Sequence, residues 1–150
     1  MTLVFTTVMD ELSRIDEDED AESAPTDRAY WEKRGSKATV ALADQLLVLG
    51  KGLDPSLELK YNKFYIGPSK DGQPYNFVTF GPKKNQLNFE LKMLQSVSLD
   101  AKIEEAGLET LEYNKRWGLY RLRLTQEDIK TKAEVLKEFI KTAHERRSSL

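Results

Sequence analysis

Between Gln86 and Met93 apolar and polar side chains alternate without a break: Leu87, Phe89, Leu91 and Met93 on one parity, Asn88, Glu90 and Lys92 on the other. A period of two is the strand period, and one apolar parity requires one buried face. This stretch excludes an all-helical fold. Upstream, Asn76 to Phe80 reads as a second strand, joined to the first by the turn-forming Gly81-Pro82-Lys83-Lys84-Asn85. Leu57 to Gly67 is a third, rich in Tyr, Phe and Ile, with a phase change at Asn62-Lys63 that marks a bulge or a tight turn. Asp71-Gly72 is a hairpin dipeptide inside the connection that follows. Connections this short make the three strands antiparallel neighbours.

Helical patterns flank these strands. Thr26-Asp27 caps a helix over residues 28–49, with Trp31, Val40, Leu42, Leu46 and Leu47 on its apolar face. Gly35-Ser36 is a point where it would divide in two, and Gly50 and Gly52 stop it in left-handed geometry. Ser98 caps a short helix to Ala106, which Gly107 ends. Trp117 to Thr125 is a fourth strand, with Tyr120, Leu122 and Leu124 alternating against Leu119, Arg121 and Arg123. Thr125, with Asp128 as capping-box partner, opens a last helix over 126–146 whose buried stripe is Ile129, Ala133, Leu136, Phe139, Ile140 and Ala143. The expected fold is α+β: a single antiparallel-rich four-stranded sheet in the order α-β-β-β-α-β-α, with helices packed on one face.

The 150 residues suit one domain, expected over 26–150. Residues 1–25 read as an acidic, poorly ordered segment with a short amphipathic helix near its start. Nine acids and one base fall within residues 1–27, a charge of −8; the remaining 16 acids and 22 bases give the body +6. A basic body behind an acidic segment reads either as a solubilising tail on an ordinary mixed surface or as a hint of an electrostatic partner, nucleic acid being the commonest.

Composition narrows the chemistry. No cysteine is present, which excludes disulfides, thiolate metal sites and cysteine nucleophiles, and His144 is the one histidine. Its place near the end of the last helix suits a helix-dipole role. No Gly-rich phosphate loop occurs, and no cofactor is implied. No apolar run approaches a membrane span, and the N-terminus lacks the basic start of a secretory signal, so a cytoplasmic location with no membrane partner is expected.

Two patterns carry functional readings. Lys60, Lys63, Lys83, Lys84, Lys92, Arg121 and Arg123 lie among Tyr and Phe residues on or between the strands. Cations that grip phosphates beside rings that stack bases are what single-strand binding needs. Lys92, Arg121 and Arg123 are expected on one solvent-facing side of the sheet. Separately, Glu90-Leu91-Lys92 resembles the acid-x-lysine signature of the PD-(D/E)xK nuclease superfamily. That resemblance implies a divalent metal held by acids and a lysine that steadies water. The acid expected on the preceding strand is missing, since Asp71 sits in a turn.

The stretches KFYIG, NFVTFGPKKNQLNFELK, RWGLYRLRLTQEDI and KTAHE resemble a bacterial domain family of unknown function. Its members often carry the label "predicted transport protein" and recur at the ends of restriction and defence proteins. The likeness covers about residues 57–145 and implies an accessory or recognition domain, with no catalytic residues to carry over. The expectation is a non-catalytic binding or accessory domain that contacts nucleic acid or a nucleic-acid-processing partner. The alternatives are a metal-dependent nuclease, or a degenerate relative of one, using Glu90 and Lys92, and a protein-binding adaptor using the N-terminal helix.

Overall fold

The structure is a computed structural model that describes residues 26–148; the expected N-terminal helix and acidic segment lie outside the described residues. The fold is α+β with an antiparallel sheet. The elements are α1 (Arg28–Arg34), α2 (Lys37–Lys51), β1 (Glu58–Tyr61), β2 (Ile66–Lys70), β3 (Gln73–Pro74), β4 (Val78–Pro82), β5 (Leu87–Lys92), α3 (Val97–Ala106), β6 (Glu109–Asn114), β7 (Leu119–Leu124), α4 (Gln126–Thr131) and α5 (Ala133–Ser148). The sheet runs β1-β2-β4-β5-β7-β6, and β3 pairs with β2 off that path.

The expected four strands are therefore too few, and the expected order is corrected accordingly. Leu57 to Gly67 is a hairpin rather than one strand: β1 turns at Asn62 to Phe64 and pairs with β2 from Glu58↔Ser69 to Tyr61↔Ile66. The phase change at Asn62-Lys63 is that turn. Asp71 and Gly72 both take positive φ, 54° and 78°, and join Lys70 to its partner Gln73, as two-residue hairpins require. β6 has no counterpart in the expected order. It lies at the sheet edge with a register irregularity between Leu111 and Asn114, and its alternation is confined to half-buried Leu111 and Tyr113 against exposed Thr110 and Glu112, a shorter and shallower pattern than that of β5.

The helices also divide more finely than expected. Gly35 ends α1 and Ser36 starts α2 with a capping box to Thr39. A Cβ on Gly35 would stand 3.1 Å from both Pro82 Cβ and Pro82 O, so close approach to the β4–β5 turn holds glycine there. Gly52 caps α2 in right-handed conformation, φ −64°, not the left-handed one; Gly107 after α3 is left-handed, φ 72°. Thr125 and Asp128 form the expected capping box. The last helix is broken at Lys132, whose Nζ bonds Gly107 O and Asp128 Oδ1 at 3.1 and 3.2 Å.

Strand register sorts the two sheet faces. Phe80, Phe89 and Leu122 are in register, as are Val78, Leu91 and Tyr120, and all join one buried cluster with Leu46, Leu136, Phe139 and Ile140 from α2 and α5. The Phe80 and Phe89 rings stack 5.3 Å apart. α2 lies against β4 and β5, α5 against β5, and α4 against β7. The opposite face carries Thr79, Asn88, Glu90, Lys92, Arg121 and Arg123.

Candidate nucleic-acid interface

The cations foreseen for binding separate into two groups. Lys92, Arg121 and Arg123 do share the face away from the core cluster, because Glu90 pairs with Arg121 and Asn88 with Arg123. Two of the three are committed to carboxylates. Arg121 Nε lies 3.0 Å from Glu90 Oε2, and Arg123 Nη1 lies 3.2 Å from Glu109 Oε1. Lys92 is half-buried on β5, and Lys60 is half-buried on β1 opposite Gly67. Lys70 is held by Asp54 at 2.9 Å. The Ser56 hydroxyl, with Lys70 beside it, holds the Asp54 carboxyl down to about 2.

Lys63, Lys83 and Lys84 belong to a different assembly, at the end of the sheet where α1 finishes. Trp31, 2% exposed, anchors α1 and donates its indole N–H to Asn62 O at 2.7 Å. That bond fixes the β1–β2 turn beneath the last turn of α1. Arg34 Nη1 then donates to Lys63 O at 2.9 Å, with its guanidinium 5.3 Å from the Trp31 ring centre. From the other side Lys84 Nζ donates to Lys33 O at 3.1 Å. Gly35 against Pro82 closes the contact between the two. Three segments distant in sequence thus bring Lys33, Arg34, Lys63, Lys83 and Lys84 together, all exposed. Among the described residues none of the five forms an ion pair with a carboxylate. The nearby acid Glu32 is taken by Arg28, which also holds Asp44 at 2.6 Å.

One further feature favours anions here, and an exposed ring lies nearby. The N-terminus of the 15-residue α2 starts at Ser36 beside this cluster, and a helix start carries partial positive charge. Phe64, next to Lys63, is 45% exposed, one of four exposed large apolar side chains among the described residues. Cations with an exposed ring alongside can grip phosphates and stack one base. Lys33 and Arg34 were not singled out in the sequence. The signal was Gly35: a true helix end there turns the Lys33-Arg34 pair toward Lys83-Lys84.

The Glu90–Lys92 pair has a different character. Both side chains lie on one face, as alternation requires, but Glu90 is 6% exposed and its two oxygens accept from Arg121 and from the Thr79 hydroxyl at 3.2 Å. Thr79 stands opposite Glu90 on β4, where the nuclease signature needs a carboxylate. Asp71 is on the exposed β2–β3 turn. Among the described residues no three His, Cys, Asp or Glu side chains gather as metal ligands, so these residues do not fit the metal that the resemblance implies. His144 packs edge-on against Phe77 with ring centres 5.2 Å apart. Among the described residues no helix is long and apolar enough to cross a membrane. Set against family models, curated proteins and solved structures, the chain matches none.

Proposed function

We propose that this domain is a non-catalytic binding module that engages nucleic acid through the basic end formed by Lys33, Arg34, Lys63, Lys83 and Lys84, in the manner of an accessory domain to a nucleic-acid-processing protein. The observation that carries this reading is the convergence of five exposed cations with no carboxylate paired to them among the described residues. Cations already committed to carboxylates gain little from a phosphate, because one pairing replaces another. Unpaired ones release condensed counterions when they meet a polyanion.

The test is a salt titration of binding to labelled single-stranded and duplex DNA by fluorescence anisotropy. Each phosphate neutralised contributes about −0.7 to the log K–log salt slope for single strands and about −0.9 for duplex. A Lys63→Ala, Lys83→Ala, Lys84→Ala triple variant is expected to lose about two units of that slope and to bind more weakly at low salt. Arg123→Ala, which removes a cation already held by Glu109, is expected to leave the slope unchanged. Equal slopes for the triple variant and the parent would refute the assignment of the basic end.

A further inference from the structure

β6 closes one end of the sheet. One side of it pairs with β7, from Glu109↔Arg123 to Asn114↔Leu119. Among the described residues no strand pairs with its other side. An open strand edge presents a row of unused backbone donors and acceptors, which lysine, proline or a covering element commonly blunts. Glu109 to Asn114 contains neither lysine nor proline, and the irregularity after Leu111 leaves the first half of the strand regular.

Alongside this edge, α3 and β6 enclose a cavity of about 420 Å³. Ile103, Leu108 and Tyr120 supply its apolar wall, residues 110–113 form its strand side, and Asp100, Glu104 and Glu112 line it with no lysine or arginine. Three nearby cations are engaged elsewhere, Lys102 with Glu138, Arg121 with Glu90 and Arg123 with Glu109, and Lys115 lies in the adjoining hollow beyond Glu112. Leu94 and Val97, 68% and 85% exposed, flank Gln95, which lines one end of the cavity.

We propose that the groove between β6 and α3 is a docking site for an extended peptide with alternating basic and apolar side chains, taken up as an added strand on β6. Main-chain pairing to the edge supplies affinity and the groove supplies selectivity, which is the logic of strand addition. The choice of occupant rests on charge. Asp100, Glu104 and Glu112 form no ion pair among the described residues and attract Lys or Arg. A second copy would set its own Glu109 and Glu112 against this edge, and the acidic residues 10–22 carry the same sign as the groove. Like-charge juxtaposition disfavours both.

The experiment uses the full chain and a fluorescein-labelled ten-residue peptide of alternating lysine and valine. Comparison peptides replace every valine by proline, or every lysine by glutamate. The lysine–valine peptide is expected to bind, to slow hydrogen exchange of amides within 109–114, and to outcompete each comparison peptide by at least about ten-fold. A Glu104→Gln, Glu112→Gln double variant is expected to weaken it, whereas the Lys63, Lys83, Lys84 triple variant keeps it, which separates this site from the basic end. Equal binding of the lysine–valine and lysine–proline peptides without protection of β6 would reduce the effect to charge attraction and overturn the proposal. So would absence of binding. Protection, without peptide, of the β6 amides that point away from β7 also overturns it: growth with protein concentration would name a second copy as the occupant, and loss on removal of residues 1–25 would name the chain's own N-terminal segment.

Discussion

The Tyr120 hydroxyl concentrates three interactions on one oxygen. It accepts from Ser96 N at 2.9 Å, lies 3.3 Å from Ser96 O, and donates to Asp100 Oδ1 at 2.8 Å. It thereby ties β7 to the start of α3 and holds a carboxylate at the groove. Burial pushes the phenol up to about 12, with Asp100 adding to the rise. A raised phenol stabilises the fold fully below the ordinary value of 10.0, and that contribution is lost as pH climbs toward about 12. Tyr120→Phe is expected to cost about 1 kcal/mol at neutral pH, with the gap between parent and variant narrowing as pH rises above 10. Denaturant unfolding of both at a series of pH values checks this; a gap constant from pH 9 to 12 would show that the hydroxyl does not titrate with folding. None of this was visible in the sequence, where Tyr120 was one parity of an alternating strand. The same holds for Glu90 and Arg121, because the register that sets them face to face is a tertiary fact.

At the scale of the element, local signals were legible where one residue settles the backbone. The Thr125–Asp128 capping box, the left-handed Gly107 and the Asp71-Gly72 turn all sit where the chain pattern placed them. What escaped was set by neighbours. β6 escaped because its alternation is only Leu111 and Tyr113, both half-buried, against Thr110 and Glu112. The break at Lys132 escaped because no glycine or proline marks it; a lysine reaching Gly107 O holds it. The three-lysine part of the basic end was legible as turn composition, whereas Lys33 and Arg34 needed the observed helix end. β5 carries its own prediction. Its Glu90 is held by Arg121 and Thr79, so purified protein is expected to leave DNA and RNA intact with Mg²⁺ or Mn²⁺. Cleavage that disappears in Glu90→Gln, with the fold retained, would reverse this reading.

Over the whole molecule the charges separate. Residues 10–22 hold eight acids and one base, and they join the described fold at Thr26, whose N–H bonds Tyr61 O at 2.9 Å. That attachment lies one short turn from Lys63. Residues 1–27 carry −8 against +6 on the rest of the chain, so competition of these acids with a polyanion for the basic end is the expected outcome. Removing residues 1–25 is expected to tighten nucleic-acid binding by about 1 kcal/mol at low salt and to steepen its salt dependence, measured in the same anisotropy assay. Unchanged affinity would assign those residues no competitive role.

The sheet order has a mechanical consequence. β1 and β6 stand five strand spacings apart, about 24 Å at 4.8 Å each. The five cations of the basic end sit on the end of α1 and on the β1–β2 and β4–β5 turns, while the carboxylate-lined groove flanks β6 and only Lys115 and Arg116 stand in the β6–β7 turn beside it. Such a body feels a torque in the field of a polyanion before it touches one. Bound as proposed, with its basic end against a charged strand, it would hold the open β6 edge out toward the solvent like a hook.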